Sequence, residues 1–251
     1  MRTDSVHRLA LLIRHNTTLR LRDPGHLISY LVMPMVLMLV FSPLHRAALP
    51  EDGEAQAVIG MLVMFSVLSL SVVGTALLTE RTWRTWNRLR ATPVSIVEML
   101  VGKALPVFVL LVVQQALLLL FGSRVVGMPV TGPLPLILFA VCVWSFVLLA
   151  IGVALAGVVR GHGELAAICD VGALVVSALG GALVPISMMP AWAQATAPLS
   201  PGYWALAMLR AAVAGDTGTA LQASSVLVAV GVVAGALACA RISRGIGDLQ
   251  G

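Results

Sequence analysis

The sequence predicts an all-α integral membrane protein, one domain of six transmembrane helices, and three observations carry that reading. First, 59% of the 251 residues are hydrophobic and only 11% charged, with mean hydropathy +0.98. A water-soluble domain carries about 25% charged residues, so lipid must be the solvent for most of this surface. Second, apolar runs of about 20 residues, enough to cross the hydrocarbon of a bilayer, recur along the chain. Third, the basic residues gather at the ends of those runs, as topology signals do. The net charge of +5 is therefore read as membrane orientation and not as a nucleic-acid footprint.

The elements follow in order. Residues 1–24 carry five Arg and no continuous apolar run, which argues against a signal peptide and for a mature N-terminus. Within them Val6, Leu9, Leu12 and Ile13 recur at helical spacing, with His7 and Arg14 opposite. The spacing predicts an amphipathic helix on the membrane surface, against the plainer reading of a basic topogenic tail. Spans are expected at 27–44, 57–78, 99–121, 134–159, 165–184 and 221–240. Pro34 removes a backbone donor from the first and should kink it. The connection after it is acidic, with Glu51, Asp52 and Glu54. The connection at 160–164 is so short that the fourth and fifth spans must be antiparallel neighbours. The stretch 185–218 is interrupted by Pro185, Pro190, Pro198 and Pro201, yet too apolar for a solvated loop. Short helices lying in the outer interface, or dipping partway into the membrane, fit it best. Small residues are frequent in the spans and aromatics make up only 5%, which suits close helix packing in lipid.

Six spans put both termini on one side. That side collects Arg2, Arg8, Arg14, Arg20, Arg22, Arg81, Arg84, Arg88, Arg90, Lys103, Arg160, Arg241 and Arg244, leaving Arg46, Arg124 and Arg210 on the other. By the positive-inside rule both termini are cytoplasmic, and the 185–218 segment lies outside.

One cytoplasmic connection, 79–97, has two faces. Arg81, Arg84 and Arg88 fall within about 60° of one another on a helix, while Trp83, Trp86 and Leu89 occupy a separate arc. Glu80 sits where a helix N-terminus favours negative charge, and Pro93 ends the segment. Positive-inside anchoring with interfacial Trp accounts for the charge; the separation of the faces points to an acidic partner.

The search for chemistry returns little. The chain has one lysine, Lys103; Ala104 follows it and Val97 stands where a Walker A loop needs its first Gly, so ATP is not bound that way here. No H-E-x-x-H occurs, and Cys142, Cys169 and Cys239 have neither metal spacing nor a disulfide context. No cofactor or metal is expected in this chain, and no enzyme activity. The polar residues placed inside spans are Gln114, Gln115 and Asp170. An ionisable side chain inside a membrane span is a functional candidate by default; the plainer reading is that Asp170 pairs with a neighbouring helix or lies near enough to the cytoplasm to find water. The glutamines suit interhelical hydrogen bonds as well as a substrate pathway.

The run from Thr79 through Ser95 contains Glu80-Arg81, Thr85, and Leu89-Arg90-Ala91-Thr92-Pro93-Val94-Ser95. It resembles the cytoplasmic loop of type-2 ATP-binding-cassette exporter permeases, E-R-E-x-G-T-x-x-x-L-R-A-T-P-V-S, except that Arg84 replaces the usual Gly before Thr. A second run, Gly180-Gly181, Pro185, Met189-Pro190, Trp192, Pro198, Pro201, Tyr203 and Leu209-Arg210, resembles that family's outer segment after the fifth span. The resemblance implies two six-helix membrane halves, the second being another copy of this chain or a homologous permease. It also implies cytoplasmic ATP-binding subunits, which would hold the ATP and Mg. Residues 1–24 would be the connecting helix and 79–97 the coupling-helix loop, with Glu80, Arg81, Arg84, Arg88, Arg90 and Pro93 docking on the ATPase. Residues 185–218 would form an outer re-entrant gate including Pro185, Pro190, Trp192, Pro201, Tyr203 and Arg210. The expected activity is export of amphipathic drug-like or lipid-like molecules across a bacterial cytoplasmic membrane, as in multidrug efflux and antibiotic resistance. Export of a lipid-linked polysaccharide and a gradient-driven transporter centred on Asp170 remain open alternatives; a membrane-bound enzyme is a third.

Overall fold

A computed structural model describes residues 24–50, 52–82 and 96–247. Nine α-helices occur among them: α1 Pro24–Ala48, α2 Gly53–Leu68, α3 Leu70–Thr82, α4 Ile96–Phe121, α5 Leu134–Val158, α6 His162–Leu179, α7 Ala191–Thr196, α8 Pro201–Ala214 and α9 Thr217–Gly247. No strand occurs among the described residues. Six stretches are long and apolar enough to cross a membrane: Ile28–Ala48, Gly53–Thr75, Ala104–Val126, Leu134–Val158, His162–Leu179 and Thr217–Ala240. They coincide with the six expected spans, with shifted ends.

The fifth span stops at Leu179, short of the expected 184, because Gly181 turns the backbone to a φ of 85° and ends the helix. The second is not one helix. It breaks at Ser69 between α2 and α3, where the Ser69 hydroxyl bonds back to Phe65 O at 2.9 Å, a habit of Ser that bends helices. The first runs through Pro34 and Pro43 as a continuous helix. The third span ends in a π-helical turn, Gly122–Val126, closed by Gly127 at a φ of 88°.

The second span, α2 with the start of α3, is the centre of the bundle: 78% of its most apolar stretch is buried, against 22% for the first span, 22% for the fifth and 28% for the sixth. Small residues make this possible. A Cβ on Gly60 would stand 2.1 Å from Ala182 O, so the backbone after α6 lies directly on α2. α5 packs on α3, α4, α8 and α9, and Trp144 on it is wholly buried. Alternating span directions give the bundle two ends. One carries the α1–α2 connection, the π-helical turn, Gly181 and the C-terminal end of α8; the other carries Arg160.

The segment after α6 is organised by its prolines. Pro185 and Pro190 immediately precede helical turns, Pro198 lies in the 3₁₀ turn Ala197–Leu199, and Pro201 opens α8, positions where a missing N–H costs nothing. α8 does not lie flat on the surface. Ala205, Leu206, Met208, Leu209, Ala212 and Val213 are buried against α2, α5, α6 and α9. Gly202 and Gly180 let the start of α8 meet the end of α6 backbone to backbone, and the Ser200 hydroxyl donates to Val176 O at 2.8 Å. The other end of α8 is held by Thr131 N and Gly132 N, which donate to Val213 O at 3.0 and 2.7 Å. α9 is capped by Asp216, whose Oδ1 accepts from Thr219 N at 3.1 Å. The side-chain and backbone hydrogen bonds from Thr219 hold that carboxyl below its ordinary range.

Candidate functional site

Three polar groupings stand out against the apolar bundle, at one end, at mid-depth, and alone on α6. The first is an ionic clasp at the Asp52 end. Arg210 Nη2 meets Asp52 Oδ2 at 2.7 Å, and its Nη1 donates to Gln56 Oε1 at 3.2 Å. Gln56, 1% exposed, donates onward to Gly181 O at 2.7 Å. Beside it Arg46 Nε pairs with Glu54 Oε1 at 2.8 Å while its Nη2 donates to Val126 O at 2.6 Å. One network thus joins α1, the start of α2, the π-helical turn, the Gly181 turn and α8. Of the residues expected in an outer gate, only Arg210 is ion-paired among the described residues. Trp192 is exposed, Tyr203 half-buried against Trp204, and Pro185 buried. Gln56 carries the clasp and was missed, because a polar residue near a span end has no signature by itself.

The second grouping is a seam through the middle of the bundle. Pro34 has no N–H, so the carbonyl of Tyr30, four residues earlier, loses its helical partner. Gln114 Nε2 supplies one at 3.3 Å. The Oε1 of the same side chain accepts from Ser69 at 3.2 Å, at the break between α2 and α3. A single glutamine therefore serves two helix irregularities on two neighbouring spans. Gln115 Nε2 donates to Ser145 Oγ at 2.9 Å on α5, leaving its buried Oε1 without a partner. Trp144 Nε1 donates to Ser66 Oγ at 2.7 Å. Gln114 and Gln115 are thus both buried inside this chain and bound to neighbouring helices. Ser66, Ser69, Ser145 and Trp144 belong with them, although nothing in their spacing announced it.

Asp170 takes no part in that seam. α6 begins earlier than expected, at His162, so Asp170 lies eight residues in, about 12 Å from its start and near the middle of the span. Its side chain is exposed, on a face shared with Ala166, Ala167, Val171 and Leu174. The opposite side of α6 borders an apolar cleft of about 230 Å³ that it shares with Val67, Trp144, Leu148 and Pro201.

Of the residues expected to dock on an ATPase, Glu80 and Arg81 fall on the α3 backbone, their side chains outside those described. Arg84, Arg88, Arg90 and Pro93 lie outside the described residues, as does the 1–23 stretch of the expected connecting helix.

Comparison with known proteins agrees with this architecture. Residues 7–213 match the ABC-2 type transporter membrane family. Over 143 residues, 57% of this chain, the sequence is 27% identical to the inner membrane transport permease YhhJ of Escherichia coli K12, and equally to that of Shigella flexneri. The matched stretch covers 37% of the length of those relatives. With the match spanning most of a six-span helical bundle, the chain belongs to the ABC-2 type transporter membrane family and is a membrane permease component.

Proposed function

We propose that this chain is the membrane half of an ATP-driven exporter whose engine is a separate cytoplasmic subunit. The observation that carries the proposal is the carboxyl side chain of Asp170, exposed at mid-depth on α6 among apolar neighbours and without an ion pair among the described residues. Against lipid a polar side chain there is costly; against a second membrane half and a hydrated route it is not. In this reading the α6 face turns inward in a pair of permeases, formed with another copy or a homologue. The positive-inside bias then makes the Asp52 end the outer one, in a bacterial cytoplasmic membrane, as the description of the relatives as inner membrane permeases supports. Closure of the ATPases, which would hold ATP and Mg, pushes on the Glu80–Pro93 loop, and the clasp around Gln56 and Arg210 holds the outer end shut until α6 and α8 move against α2. The buried face of α8 supports the re-entrant gate reading. The cargo is amphipathic, drug-like or lipid-like. A gradient-driven transporter would also use Asp170, but the family match favours the ATP-driven reading.

The test is purification of the tagged chain under gentle conditions with identification of what accompanies it. A Walker A subunit that co-purifies, and is lost when Arg81, Arg84 and Arg88 are changed together to Glu, supports the proposal. A chain that transports while alone would refute it.

A further inference from the structure

Helices joined by a short turn ordinarily pack on each other as antiparallel neighbours, and one such pair here does not. α5 ends at Val158 and α6 begins at His162, yet the two do not pack along their length; each lies instead against α3. The gap between them is the cleft of about 230 Å³. Val67, Leu70 and Trp144 form its buried floor, while Leu155, Ile168 and Gly172 edge a mouth that is partly exposed. Neither Asp170 nor Ser177 lines it, and the ring N–H of Trp144 is already donated to Ser66 Oγ at 2.7 Å. The cleft therefore presents no polar surface.

Its dimensions limit what can lie there. On α6 it runs from Ile168 to Val176, about 12 Å of helix, and on α5 from Trp144 to Leu155, about 16 Å. The volume spread over those lengths leaves a cross-section of about 15–20 Å², against roughly 80 Å² for a helix about 10 Å across. A helix of a second subunit is too thick to enter. A hydrocarbon chain is not, since its carbons meet others at about 4 Å. Water would find no polar partner in such a site, and an empty cleft forfeits the dispersion contacts of its walls. Lipid surrounds the mouth at a far higher concentration than any cargo. On α5 the cleft lies between mid-span and the Arg160 end, and Pro201 at the start of α8 bounds it on the other side.

We infer that the cleft between α5 and α6 binds one acyl chain of a membrane phospholipid, entering from the leaflet on the Arg160 side. Such a site depends only on the chain spanning a membrane, and not on the cargo or the direction of transport.

The test uses Trp144 as the reporter, because it forms the floor and is 0% exposed. Trp83, Trp86, Trp192 and Trp204 are replaced by Phe, and the purified whole complex is reconstituted into phosphatidylcholine. A rising fraction of that lipid is brominated midway along its acyl chains, and bromine quenches indole fluorescence on close approach. The signal is the difference from the same complex carrying Trp144→Phe as well. A single chain in the cleft should quench Trp144 in linear proportion to the brominated fraction. Gly172→Leu should remove most of that quenching, because a side chain built on Gly172 meets no atom within 4 Å and would fill the cleft. Gly235→Leu, equally unobstructed but on α9 away from the cleft, should leave it unchanged. Absence of quenching overturns the inference, as does a steeply curved fall, which reports many exchanging lipid neighbours and not one site. Linear quenching that an assembled Gly172→Leu complex retains in full overturns it too. Should Gly172→Leu fail to assemble, the shape of the dilution curve decides alone.

Discussion

Replacing Gln56 by Leu removes the residue through which the Asp52-end clasp reaches the Gly181 turn. The change keeps side-chain volume close to the original and leaves α2 helical, so the loss is of hydrogen bonds and not of packing. Gln56 donates to Gly181 O at 2.7 Å and more weakly to Ala182 O at 3.4 Å, in a position that water does not reach. Stranding that carbonyl costs about 1–3 kcal/mol. The bond from Arg210 is lost too, but Arg210 keeps Asp52 at 2.7 Å and is partly solvated, so this adds at most about 1 kcal/mol. A central value of about 2 kcal/mol corresponds to a fall of roughly 4–8 °C in melting temperature for a chain of this size. The assay is thermal unfolding in mild detergent, followed by labelling of Cys169 with a thiol-reactive fluorophore. Cys169 is 1% exposed, whereas Cys142 is half-buried and Cys239 exposed, so the measurement uses a Cys142→Ala, Cys239→Ala background. Arg210→Met, which spares the Gln56–Gly181 bond, should lose less than half as much. Gln194→Leu, which removes an exposed bond to Met189 O, should change little. A Gln56→Leu melting point within 1 °C of the Gln194→Leu control would refute the reasoning.

Other consequences follow from the seam and the caps. Gln114→Leu should destabilise by about 1–3 kcal/mol because the bonds it makes to Tyr30 O and from Ser69 Oγ are both lost; adding Pro34→Ala, which restores the helical N–H, should recover part of the loss in the same melting assay. Trp144→Phe should cost about 1–2 kcal/mol by removing the buried donor to Ser66 Oγ, which keeps only its own bond to Val63 O, and the double change with Ser66→Ala should cost less than the single one, since removing both partners is nearly neutral. Asp216, whose carboxyl titrates below its ordinary range in the folded chain, stabilises the start of α9 above its unfolded pKa. That contribution is lost as pH falls through the folded value, below about pH 4. Hydrogen exchange at Thr217–Thr219 should therefore quicken on acidification in the wild type, relative to intrinsic rates, and be fast and insensitive to that transition in Asp216→Ala.

The number and rough position of the spans were legible because hydrocarbon imposes a length and a composition on any segment that crosses it. Where ends moved, a local backbone event moved them: the left-handed Gly181 after α6, or the earlier start of α6 at His162. The break at Ser69 left no mark in hydropathy, since Leu68 and Leu70 flank it and Ser is common in membrane helices. The partners of Arg210 lie 154 and 158 residues away in sequence, so the charge was readable and its pairing was not. Pro34 and Gln114 were each noticed separately; that one satisfies the backbone disturbed by the other depends on the packing of α1 against α4. Asp170 was singled out as a polar residue in an apolar span. Only the structure places it on the uncovered face of α6, away from the glutamines.

The central claim is that a separate ATPase drives this permease outward, and inverted membrane vesicles containing both subunits test it most directly. Accumulation of an amphipathic drug-like cargo inside such vesicles should require ATP and stop when the Walker A lysine of the partner is replaced. It should also stop when Arg81, Arg84 and Arg88 are changed to Glu while the chain itself still reaches the membrane. Accumulation that persists with the disabled ATPase, driven by an imposed ion gradient alone, would contradict the account.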